Sequence, residues 1–401
     1  MSVILLAVLP TLLFATGQGA IIPVLPAIAG DLGATLAIAG LIGATLMVGE
    51  LIGDIPSGVL VARVGERNAM LGSATVAVAG TIVAMLADDP LVLGVGVLVM
   101  GIASSVFALA RHAMLTTYVP ATHRARAMST LGGAYRLGLL VGAFVGAAAI
   151  QLTGWTGSVF VVQLVACGLT VIALLVFGDP AKAFGSPGQS PTTGAIEVRE
   201  EAKGLLSTLR AKRGVLLTLG IGALLLMGLR ASRTIVLPLW AVSIGIDEAT
   251  TSLIIGIAGL VDFSLFFAGG WIMDRFGRMW TVVPSALGLG AGHVVLAFTH
   301  DLPAAAAWFV GVALFLSLAN GLGAGMLMTL GSDLADGRNP APFLGAWRFT
   351  IDVGAATAPV FVAGVTAIAS ISIAVGALGL LGLVSAVVMG IFIPRKLEPR
   401  A

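Results

Sequence analysis

Charge is what this sequence has least of. Only 10% of its 401 residues are Asp, Glu, Lys or Arg, against about 25% in soluble domains. Since 58% are hydrophobic, a water-facing surface cannot be built from this composition, and the chain reads as a membrane protein. One cysteine, Cys167, excludes an intramolecular disulfide. The four histidines (His112, His123, His293, His300) show neither metal-ligand spacing nor a catalytic partner, so no metal is expected. No Gly-Lys-Ser/Thr phosphate loop occurs. Gly288-Leu-Gly290-Ala-Gly292 and Gly321-Leu-Gly323-Ala-Gly325 lie in apolar runs and read as packing glycines. With no clustered catalytic residues and no sizeable soluble domain, the chain is expected to be no enzyme and to need no cofactor. A net charge of +2 gives no reason to expect nucleic acid.

What is present is hydrophobic length, with a mean hydropathy of +1.08. Apolar runs of about 20 residues are long enough to cross a bilayer. There are twelve: 3–29, 35–62, 69–87, 91–117, 127–151, 156–178, 214–240, 249–273, 280–299, 303–328, 343–367 and 370–393. The first lacks a basic start and is too long for a signal-peptide core. With both termini in the cytoplasm, sixteen of the 21 Lys and Arg fall in cytoplasmic segments and five inside runs. The outer loops then hold only Asp31, Asp88, Asp89, Asp247, Glu248, His300 and Asp301. This is the positive-inside distribution.

The one long hydrophilic segment, 179–213, opens with turn-rich Gly185-Ser-Pro-Gly-Gln-Ser-Pro. From Ile196 to Arg213 it has the pattern of an amphipathic surface helix. It divides the chain into an N-terminal six-helix bundle (1–178), a cytoplasmic linker (179–213) and a C-terminal six-helix bundle (214–401). The halves align at a constant offset of 212 residues. Val24-Leu25-Pro26 matches Val236-Leu237-Pro238, Glu50 matches Asp262, and Gly133-Ala-Tyr135-Arg136 matches Gly345-Ala-Trp347-Arg348. Coincidence of carboxylates and arginines inside apolar runs indicates a parallel duplication.

The turn between runs 8 and 9 reads Gly270-Trp-Ile-Met-Asp274-Arg275-Phe-Gly277-Arg278. Its copy between runs 2 and 3 keeps Gly58, Arg63 and Gly65, has Ala62 in place of the acid and Glu66 in place of Arg278, and continues with Arg67. Gly58 and Gly270 are expected to permit close helix approach, and Gly65 and Gly277 a tight reversal. Asp274 is expected to accept from a helix N-terminus of the other half, with Arg275 and Arg278 facing lipid phosphates or acidic partners. Twelve helices as six plus six, the central loop and this G-x-x-x-D-R-x-G-R turn resemble the major facilitator superfamily over essentially the whole chain. The resemblance implies an all-α membrane protein: two six-helix bundles around a central cavity, rocking between inward- and outward-open states. The turns would then act as gates.

Ionisable residues inside the runs are costly and must be paired, neutral or hydrated. Glu50 and Asp262 lie at equivalent mid-run positions, with Asp54 one turn from Glu50. Buried carboxylates hold protons more tightly, which makes these three candidates for proton coupling. The competing reading is fixed ion pairing with Arg111, Arg136 or Arg230. Arg230 and Arg233 share a face of helix 7, a helix that commonly lines the cavity in the resembled family. Arg136 has no acid within reach on its own helix. These arginines, with Gln18, Tyr135 and Trp347, are the candidate substrate-binding residues; Trp240 and Asn320 could also line the cavity. Arg348 and Asp352, four apart, read as a structural ion pair.

Gly138-x-x-x-Gly142-Ala-x-x-Gly146 in helix 5 resembles the antiporter motif of the family's drug exporters, with alanines replacing its proline and last glycine. It can equally be small-residue packing. The function these features imply is secondary transport, expected as proton-coupled efflux of a small amphipathic compound. The alternative is transport of one anionic metabolite with Arg136, Arg230 and Arg233 as counter-charges. Expected partners are the small-molecule substrate, protons and membrane lipids. A monomer suffices because one chain holds both halves, and the resemblance implies a bacterial inner membrane.

Overall fold

The computed structural model describes residues 3–119, 121–177, 208, 210–323, 325–335 and 341–396. Among these residues every regular element is a helix, and twelve helices are long and apolar enough to cross a membrane. Contacts between Cα atoms divide it into two units, Met1–Val198 with Asp247–Gly256, and Arg199–Ile246 with Ile257–Ala401. Most of the linker, and with it the predicted amphipathic helix, lies outside the described residues.

The N-terminal spans are α1 (Val3–Ile21, continued through a 3-10 turn at Ile22–Val24 into Leu25–Asp31), α2 (Leu36–Val64) and α3 (Glu66–Met85). They are followed by α4 (Pro90–Tyr118), α5 (Ala121–Thr153) and α6 (Ser158–Val176). The C-terminal spans are α7 (Ile221–Ser243), α8 (Glu248–Phe276) and α9 (Met279–Ala297). After them come α10 (Ala305–Leu322 and Met326–Leu334), α11 (Ala341–Ile368) and α12 (Ile371–Lys396). Two acids in the turns between spans cap helices. Asp89 accepts from the Leu91 and Val92 amides, and Asp247 accepts from Thr250, so each satisfies donors that helix geometry leaves open. The bond from the Thr250 amide holds the Asp247 carboxyl below its ordinary pKa.

Helices apolar on every side have no hydrophobic stripe to orient them, so small residues set the packing. Gly138, Gly142 and Gly146 of α5 lie against Ala15, Thr16 and Ala20 of α1, and a Cβ on Gly142 would collide with the Thr16 carbonyl oxygen. The equivalent Gly354 of α11 meets the Leu224 carbonyl of α7 in the same way. Phe14 stacks on Phe107 at 4.3 Å in the N-terminal core, beside Met70, Met114 and Leu131.

The two glycine stretches of the sequence differ here. Gly288, Gly290 and Gly292 do pack, against Ala319, Gly379 and Leu316. Gly321 packs as well, against Asp262 and Leu265 of α8, but the stretch Gly321-Leu-Gly323-Ala-Gly325 also breaks α10: the helix stops at Leu322 and resumes at Met326, with Gly325 at φ +73°. That φ is in the left-handed region, where glycine carries no Cβ penalty. Irregular backbone at membrane depth requires a substitute donor for each freed carbonyl, and the one at Gly323 is found below.

Candidate functional site

In the N-terminal unit the buried charge gathers between α2, α4 and α5. Arg111 of α4 is buried, with its guanidinium carbon 4.8 Å from the centre of the Tyr135 ring of α5. It interacts electrostatically with Glu50 of α2, and Tyr135 does so with Glu50 and Arg136. Sequence reading had treated Arg111 only as a possible counter-ion; the fold makes it the centre of this cluster. Its Nε is buried without a hydrogen-bond partner. Gln18 of α1 is buried and donates to Ser104 Oγ at 2.6 Å, which ties it to α4. Asp54 is exposed.

The C-terminal unit has a corresponding node among α7, α8 and α10. Asp262 of α8 is buried. Its Oδ1 accepts from Asn320 Nδ2 at 2.7 Å, and its Oδ2 is 4.0 Å from Arg233 Nη2. Arg233 Nη1 donates to Ser317 Oγ at 2.6 Å. The node depends on Gly321, whose Cβ would come 2.8 Å from the Asp262 carbonyl oxygen. At 4 Å, unit charges attract by about 4 kcal/mol at an effective dielectric of ~20. Desolvation costs several kcal/mol per ion. The ion pair alone therefore barely holds, and the Asn320 and Ser317 hydrogen bonds stabilise it. Arg230 donates through Nη1 to the Gly323 carbonyl at 2.8 Å, capping the broken end of α10 with a cation, where the helix dipole favours one.

The internal duplication preserves the acids but not their cations. The position 212 residues after Arg111 is Gly323, and the position 212 before Arg233 is Ile21. Glu50 is faced by an arginine from α4, Asp262 by one from α7. Arg230, the counterpart of Gln18, delivers its guanidinium to the place where Arg111 originates in the first half. No pattern along the chain signals this exchange.

Both turn glycines reverse the chain with positive φ, Gly65 at +83° and Gly277 at +95°. Gly270 does not mediate the expected close approach, since a Cβ there would meet open space. The neighbouring Gly269 does, against the Leu322 carbonyl. Asp274 is exposed, its side chain 80% accessible, and pairs with Arg278 at 3.6 Å. Arg278 has a stronger acidic partner, which the sequence left unnamed: its Nε donates to Asp333 Oδ2 at 2.6 Å. It also donates to the Met273 carbonyl at 3.2 Å. The Asp333 bond is the main reason the Arg278 pKa is raised. In the first copy Glu66 accepts from Thr117 of α4 at 3.0 Å, and Arg67 donates to the Leu174 carbonyl at 2.9 Å. Each turn is thus tied to the end of the fourth helix of its own half, with opposite charge. Arg63 is exposed, and Arg275 stacks on Trp271 and Phe276.

Trp347 is fully buried and donates to the Leu327 carbonyl at 2.8 Å, so it packs α11 on α10 and does not line a cavity. Trp240 is fully buried as well. Arg348 Nε and Asp352 Oδ2 are 3.5 Å apart. Among the described residues no group of three or more His, Cys, Asp or Glu could hold a metal ion.

Residues 8–359 match the family profile described as Major Facilitator Superfamily. No curated protein sequence matches the chain. A POT family transporter in complex with 5-aminolevulinic acid superposes with a TM-score of 0.79 at 13% identity, over 98% of this chain and 96% of that one. The xylose transporter XylE from E. coli, partially occluded and inward open, gives 0.70 at 17% identity, over 98% and 99%. At such identities the likeness speaks for the fold alone.

Proposed function

The chain belongs to the major facilitator superfamily, and from that premise of multi-pass secondary transport we propose that it exports small amphipathic compounds in exchange for protons. The observation that carries this reading is a carboxylate within a span of each bundle, Glu50 and Asp262, each in electrostatic contact with an arginine from another helix. A proton on either acid cancels one charge of its pair and shifts the balance between conformations, which a ligand or proton can do only by binding them unequally. Glu50 and Asp262 are the proton carriers, with Asp54 as a third. Arg136, Arg230, Arg233, Gln18 and Tyr135 are assigned to substrate. The glycine series of α5, similar to the exporters' antiporter motif, supports export. The charge distribution supports cytoplasmic termini, the resemblance to the family supports a bacterial inner membrane, and a monomer suffices.

A second reading has its own support. Five arginines lie inside the spans, and Arg111 has a buried Nε without a hydrogen-bond partner, a setting suited to an anionic metabolite. Purified protein in liposomes with an imposed pH gradient and an internal pH dye separates the two. A panel of cationic, neutral and anionic compounds is added to wild type, Glu50→Gln and Asp262→Asn. Proton flux driven by cationic or neutral amphipathic compounds, and lost in either variant, is the expected result. Flux elicited only by anions selects the second reading. Solute movement without proton flux, equal in all three proteins, refutes proton coupling.

A further inference from the structure

An open groove of about 540 Å³ runs between α9 and α10, and every residue lining it is apolar. Gly292 and Val312 form its buried floor, and the exposed side chains of Val295, Trp308 and Phe315 stand along it. In membrane helices a glycine usually marks the close approach of a neighbour. Gly292 fits that rule, since a Cβ there would meet Leu316 and Phe315. Gly311, which also lines the groove, does not: a Cβ there would meet open space. Glycine disfavours a helix, and at Gly311 no packed protein neighbour offsets that.

The groove has the depth of one leaflet. Ala304 and Phe315 both line it and are 11 residues apart, which is about 16 Å of helix. The hydrocarbon core of a bilayer is about 30 Å thick, so a single leaflet is about half that. One end of the groove lies at the turn 298–304. That turn holds Asp301 and no Lys or Arg. The Asp301 side chain is 97% accessible, and its Oδ1 lies 2.8 Å from His300 Nδ1, which leaves Oδ2 open. The α11–α12 turn at 369–370, which the alternating direction of the spans brings to the same end, adds no cation. A headgroup at this mouth therefore meets a carboxylate and no base.

We propose that the groove is a lipid site: it seats one acyl chain of a phospholipid whose headgroup carries a primary ammonium, and that ammonium donates to Asp301 Oδ2. The depth selects a chain, and the charge at the mouth selects the head. Water does not fill the groove, because apolar cavities stay dry. Another protein helix gains little there, because lipid tails are as apolar as leucine and already surround the span. The seated chain occupies the space that Gly311 leaves open. The site stands apart from Asp262 and the arginines of α7, and it does not depend on the direction of transport.

The test uses the full chain in nanodiscs of phosphatidylcholine, whose quaternary head has no hydrogen to donate. Brominated-chain phosphatidylethanolamine or brominated-chain phosphatidylglycerol is added at one minor mole fraction. Bromine quenches a tryptophan it touches, and subtracting Trp308→Phe isolates the emission of Trp308. The ethanolamine lipid should quench that component about two- to fivefold more than the glycerol lipid, the range of an exposed ion pair. Asp301→Asn should abolish the difference between the lipids. Gly311→Leu, whose side chain enters open space, should bring quenching by both down to the bulk proportion. Equal quenching by the two lipids in the wild type, or a preference that survives Asp301→Asn, overturns the inference; the wild-type comparison needs no variant to fold. Quenching unchanged in Gly311→Leu overturns it as well. Quenching that falls as copies per disc rise gives the groove to a second copy of the chain and equally overturns it.

Discussion

Replacing Asp333 by Asn removes the anion that holds Arg278 at the end of α10. The Nε–Oδ2 contact is 2.6 Å, and the second donor, Nη2, is 3.5 Å from Oδ1, too long to add much. Hydrogen bonds to charged groups contribute about 1.5–3 kcal/mol. The two side chains are 26% and 20% accessible, and polar pairs in membrane proteins average nearer ~0.6, with a maximum of ~1.7 kcal/mol. A loss of about 1.5 kcal/mol is therefore expected for Asp333→Asn. Asp274, 80% accessible and 3.6 Å from Arg278, should lose at most about 0.5 kcal/mol on the same change. The assay is reversible unfolding in mixed detergent micelles with a double-mutant cycle at Arg278→Gln and Asp333→Asn, expected to give a coupling of about 1 kcal/mol. A coupling indistinguishable from zero, or an Asp274→Asn cost equal to that of Asp333→Asn, would show that the turn is held from its own helix and that the reasoning is wrong.

Two further expectations concern helix ends. Arg230→Leu takes the donor from the Gly323 carbonyl and should cost about 1–3 kcal/mol, with faster amide exchange confined to Met326–Leu334; unchanged exchange there would mean that the break in α10 does not depend on Arg230. For Asp247 the folded pKa is depressed, so its charge stabilises the fold above the unfolded carboxylate value of about 4 and loses that effect as pH falls through the lower folded value. Asp247→Asn, which still caps, should match wild type more closely in acid than at neutral pH, whereas Asp247→Ala should lose about 1 kcal/mol at neutral pH. Thermal unfolding across that range checks both, and a gap between Asp and Asn that widens on acidification would contradict the sign.

The spans, the turn reversals at Gly65 and Gly277, and the Arg348–Asp352 spacing could be read from the chain because each is a local property. Hydropathy acts over about twenty consecutive residues, a reversal needs one residue with positive φ, and residues four apart on a helix are neighbours whatever surrounds them. The internal duplication was legible for a related reason, since a constant offset survives wherever no insertion has broken it.

Tertiary structure alone decided the rest. Glycines at Gly288–Gly292 and Gly321–Gly325 read alike, yet one set packs a continuous helix and the other breaks one, because only at Gly323 does an arginine from another helix satisfy the freed carbonyl. Asn320 found Asp262 across 58 residues, and Asp333 found Arg278 across 55. The counter-cation of the second buried acid came from a helix that the duplication would not have named. In water, a hydrophobic stripe fixes how a helix is rotated and so which side chains can meet. A helix apolar on every side carries no such stripe, so its rotation is set by where glycines let backbones touch, and the partners of its few polar groups follow from that.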